Sequence, residues 1–180
     1  MAAPRQMTDK TLNALKGWPN QAPVDFATKF AAAVLAARDP VLAGSVVSLD
    51  PSGNYNLGVG TSPVMPMFLF HSSDEPDVRN DGGDPATDKN VFVGITPSGN
   101  AMALVAVMAV ELTSTQFVDA VYAPNDHLTA EDGLGADAGK LSLGTLWTDT
   151  ICGVVSRGVV DNGYGADALA FWPVYLPPNP

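Results

Sequence analysis

From residue 40 onward the sequence is cut into short β-prone runs by clusters of glycine, proline, asparagine and aspartate. Few folds tolerate such frequent breaks. Glycine and proline are poor in the interior of a helix or strand but suit turns, so closely spaced breaks leave many short strands joined by tight connections. That pattern predicts an all-β sandwich or barrel. The expected strands cover 41–49, 55–59, 65–70, 91–96, 102–113, 116–122, 140–143, 150–156 and 168–175. Asp50-Pro51-Ser52-Gly53 and Thr96-Pro97-Ser98-Gly99-Asn100 have the residues of tight turns. Pro66 suits a strand start or an edge.

The 102–113 run carries Met102, Leu104, Met108, Val110 and Leu112 on one face and Ala103, Val105, Val107 and Ala109 on the other. A strand apolar on both faces is covered on both. A core of this kind is within reach of 180 residues with 46% hydrophobic composition. Only 16% of residues are charged, where about a quarter is usual, which hints at surface hidden in an assembly.

Residues 1–40 differ from the rest and are expected to form an N-terminal arm, with 41–180 as the β domain. Thr8 or Asp9 can cap a short helix running through Lys16, with Gly17 as its stop. The Trp18–Pro23 stretch is turn-like. Between 24 and 38, Ala27, Phe30, Ala31 and Val34 form a helical stripe, Pro23 suits a first turn and Asp39-Pro40 a stop. An extended arm lying on a neighbouring subunit is the other reading of that segment. The arm carries a net charge of +2 and the remainder −12. An acidic body repels phosphate backbones, so no nucleic-acid partner is expected. No signal peptide is expected from the N-terminus, and the longest apolar run, 101–110, is too short to cross a bilayer, so no membrane partner is expected either.

The residues capable of chemistry form no recognisable set. One cysteine, Cys152, permits neither an intramolecular disulfide nor a thiolate zinc cage, and its apolar setting suits a buried thiol. His71 and His127 lack metal-binding spacing and are expected in exposed turns. Residues 74–88 hold six acids and one arginine but do not follow the EF-hand register. A solvated loop is the first reading there and a cation site the second. No nucleophile elbow and no phosphate-binding glycine loop occurs. The chain is therefore expected to have no catalytic residues, no metal and no cofactor.

Several segments resemble the β-tulip capsid decoration (cement) proteins of tailed bacteriophages. They are VLAGSVVSLD at 41–50 followed by Gly53-Asn54-Tyr55, and ELTSTQF at 111–117 leading to YAPNDHLT at 122–129. Gly139-Lys140-Leu141, ICGVVS at 151–156 and LAFWP at 169–173 complete the set. The resemblance spans about residues 40–176 and consists of strand-and-turn patterns. It implies a small antiparallel β-barrel or sandwich, commonly a homotrimer, made in the host cytoplasm and seated on the outer surface of an icosahedral head. There it would clamp neighbouring copies of the major capsid protein. Trp18, Phe26, Phe30 and Val34 in the arm are the expected intersubunit or capsid contacts. A fibre-base or baseplate module is the alternative, followed by a small-molecule-binding or enzymatic β-barrel.

Overall fold

A computed structural model of the chain describes residues 12–16, 30–37, 41–60, 66–69, 103–104, 110–162 and 165–179. These residues are mainly β, arranged in two antiparallel sheets. In chain order the elements are β1 (Leu12–Lys16), α1 (Ala32–Ala37), β2 (Val46–Leu49), β3 (Tyr55–Leu57), β4 (Met67–Leu69) and β5 (Ala103–Leu104). They continue with β6 (Glu111–Ser114), β7 (His127–Ala130), β8 (Leu141–Leu143), β9 (Ile151–Asp161) and β10 (Asp167–Leu176). A six-stranded sheet has the order β1-β6-β10-β9-β7-β8, and a four-stranded sheet the order β3-β2-β4-β5. The expected sandwich is thus present.

Strand alternation sorts adjacent side chains of the smaller sheet into two cores. Val46 and Phe68, cross-strand partners on β2 and β4, face the larger sheet. They join Leu112, Leu128, Leu141, Cys152, Val155, Leu169 and Phe171 in an inter-sheet cluster. The Phe68 and Phe171 rings meet across the gap with centroids 5.2 Å apart. Val47, Met67 and Leu69, one residue along, face the other way. With Tyr55 and Leu57 they are covered by Phe30 and Val34 from α1 and its approach. The layers are therefore the larger sheet, the smaller sheet and a six-residue helix.

The turn expected at 50–53 forms as the sequence suggests. Gly53 N–H donates to Asp50 O at 2.9 Å, and Gly53 adopts φ 79°, a left-handed conformation that glycine enters without steric cost. The Asp50 carboxylate accepts from the N–H groups of Asn54 and Ser52, both at 2.8 Å. The Asn54 N–H is the main cause holding the Asp50 carboxyl below its ordinary pKa.

Several expectations are corrected. Leu12–Lys16 is a strand paired with β6, not the end of a helix: ladder bonds to Glu111, Leu112, Thr113 and Ser114 override the local helical preference of Leu, Ala and Lys. The 24–38 helix is realised as Ala32–Ala37, and residues 21–29 lie outside the described residues. The 102–113 run does not serve one sheet: β5 pairs with β4 in the smaller sheet, while β6 pairs with β1 and β10 in the larger. Residues 116–122 form no strand beyond a bridge between Phe117 and Leu141, because Tyr122 turns inward to donate its hydroxyl to Val118 O at 2.7 Å. His127 begins a strand, β7, rather than sitting in a turn. The turn lies just before it, where Asn125 has φ 76°. The expected strand at 91–96 and the turn at 96–100 lie outside the described residues.

Candidate functional site

Where β3 ends, the chain passes close to the loop that follows β7. Gly58 has φ 95°, and a β-carbon there would collide with Asp132 and lie 2.6 Å from Glu131 O. Only glycine permits this approach. The approach lets Asp132 Oδ1 accept the Gly60 N–H at 2.8 Å, tying the two segments together. Beside them, the connection from β8 to β9 is a tight loop. Thr148 and Asp149 N–H groups donate to Thr145 O at 3.1 and 2.9 Å, and Asp149 Oδ2 accepts the Thr145 N–H at 2.7 Å.

Together these segments and Pro178 enclose an open groove of about 560 Å³. Its walls combine Val59, Ala130, Leu143 and Pro178 with the carboxylates of Glu131, Asp132 and Asp149. Asp132 and Asp149 each use one oxygen to brace a backbone N–H. Trp147 directly precedes the lining Thr148, and its carbonyl accepts the Asn179 N–H at 2.9 Å. Trp147 has φ 72° and is 62% exposed. A bulky side chain in that conformation is a true outlier, and nothing on the folded side explains it by burial. Leu143, which lines the groove, is also exposed.

A second polar feature lies on the larger sheet. Arg157 Nε donates to Glu111 Oε1 at 2.8 Å; the Glu111 side chain is 2% exposed and that of Arg157 52%. A register shift brings Arg157 out: Ala170 pairs with Gly158 but Phe171 with Val155, so two residues of β9 bulge from the ladder. The buried carboxylate thus keeps a charged partner that itself reaches solvent.

The expected contact residues are distributed differently from the arm-contact scheme. Trp18 and Phe26 lie outside the described residues. Phe30 and Val34 are 4% and 0% exposed inside the chain's own second core, with the Phe30 ring 5.6 Å from that of Tyr55. Their apolar stripe is used by the smaller sheet, which corrects their assignment to an intersubunit surface. His71 and the acidic stretch 74–88 lie outside the described residues, so the cation reading of that stretch does too. Cys152 is buried as expected, and burial pushes its thiol up to about 12.

Among the described residues no three His, Cys, Asp or Glu side chains lie close enough to hold one metal ion, and no helix is long and apolar enough to cross a membrane. The groove presents a mainly polar, acidic wall; of its apolar residues Val59 and Ala130 are buried in the inter-sheet core and Leu143 is exposed. Sequence reasoning missed this groove because its acids come from separate segments, 131–132 and 149. Comparison with protein-family models, with curated proteins and with solved structures finds no match to this chain.

Proposed function

We propose that this chain is a structural virion protein that binds the outer surface of an icosahedral phage head and stabilises contacts between major capsid subunits. In this reading it acts as a homotrimer, with no catalytic activity, cofactor, nucleic-acid partner or membrane partner. The reading rests on the resemblance to decoration proteins, and one observation supports it. The separated segments that carry the resemblance converge in the fold. Val46, Leu112, Tyr122, Leu128, Leu141, Cys152, Val155, Leu169 and Phe171, drawn from six of those segments, pack in the one inter-sheet cluster. Tyr55, from the segment after the first turn, anchors the second core. A pattern of strands and turns that closes on itself is what a rigid surface clamp requires. A clamp draws its binding free energy from modest contacts repeated over a symmetric shell.

The test is the abundance of the chain in purified virions relative to the major capsid protein. Near-stoichiometric copies, lost on mild heating with heads then more fragile, are expected. A few copies per particle would replace the reading with a fibre-base or baseplate role. Absence from virions would remove it.

A further inference from the structure

We draw no further inference here: the strongest candidate, the surface patch of exposed Val121 and Val159 that flanks the close approach of the Tyr122 carbonyl to Gly158 of β9, is an unpartnered apolar face, and nothing in the structure shows what covers it.

Discussion

The smaller sheet has two faces, and they are covered by very different partners. One face meets a six-stranded sheet, whose side chains come from β6, β7, β8, β9 and β10. The other meets a helix of six residues, which with its approach contributes Phe30 and Val34. A helix that short is not stable alone, since isolated helices below about 12–15 residues are marginal even in favourable sequences. It exists because Val34 is buried against the smaller sheet, although Ala32, Ala33, Ala36 and Ala37 are exposed. The inter-sheet face is cross-braced by ladders on both sides, so the two cores should differ in strength although both exclude water equally well.

The largest test of that difference is a pair of truncations. Phe171→Ala removes a fully buried ring that packs on Phe68 and should cost about 3–5 kcal/mol. Val34→Ala removes two methyl-sized groups from the helix-covered core and should cost about 2 kcal/mol. Urea denaturation measures both. A Val34→Ala loss as large as that of Phe171→Ala would reverse the ranking of the two faces.

Hydrogen exchange sharpens the same comparison without mutation. Amides of β9 and β10, paired along most of their length, should be protected at least about 100-fold more than those of α1. Equal protection would mean that the helix and the large sheet open only together.

Cys152 and Tyr122, both in the inter-sheet cluster, make that face sensitive to alkali. Burial pushes the Cys152 thiol from 9.0 to about 12. Burial, then the Asp119 carboxylate, pushes the Tyr122 phenol from 10.0 to about 12. The folded chain therefore holds these protons more tightly than the unfolded chain does. Their contribution is complete below about pH 9 and is lost as pH rises from there through about 12. Melting temperature should fall over that window, and less steeply in Cys152→Ala. At pH 8 iodoacetamide should label Cys152 only when the inter-sheet face opens, so the labelling rate should follow unfolding.

What the sequence made legible follows the same division. The 50–53 turn, β2, β3 and β10 were readable because turn residues and apolar alternation agree there. β9 was readable only to Ser156. Beyond it Arg157 and Gly158 break the pattern, and they do so because the strand bulges to place Arg157 over Glu111. β7 went unread: Leu128 and Ala130 alternate with His127 and Thr129, but over four residues that signal is hidden by the Pro124-Asn125 turn. β1 was misread because its helical residues are recruited by pairing with β6, nearly 100 positions away, which no local pattern encodes. The groove was illegible for the same reason. Glu131 and Asp149 are ordinary solvated acids until the fold brings their loops together, although the bulky aromatic in the Thr145–Asp149 turn was an available sign.

The smallest expected effect is the most discriminating one between the cores and the Thr145–Asp149 turn. Trp147 sits at φ 72°, where a residue with a β-carbon is disfavoured by about 1–2 kcal/mol relative to glycine. Glycine there would relieve that strain. It would also raise the entropy of the unfolded chain, which costs about 0.4–1 kcal/mol, and would lose the partial burial of the indole. These terms nearly cancel, so Trp147→Gly should leave unfolding free energy within about 0.5 kcal/mol of the parent. Every buried aromatic in the two cores should behave in the opposite way. A stability loss at Trp147 comparable to that at Phe171 would show that the indole serves the fold. A neutral outcome shows that a large aromatic sits in a strained conformation at a position where folding does not depend on it.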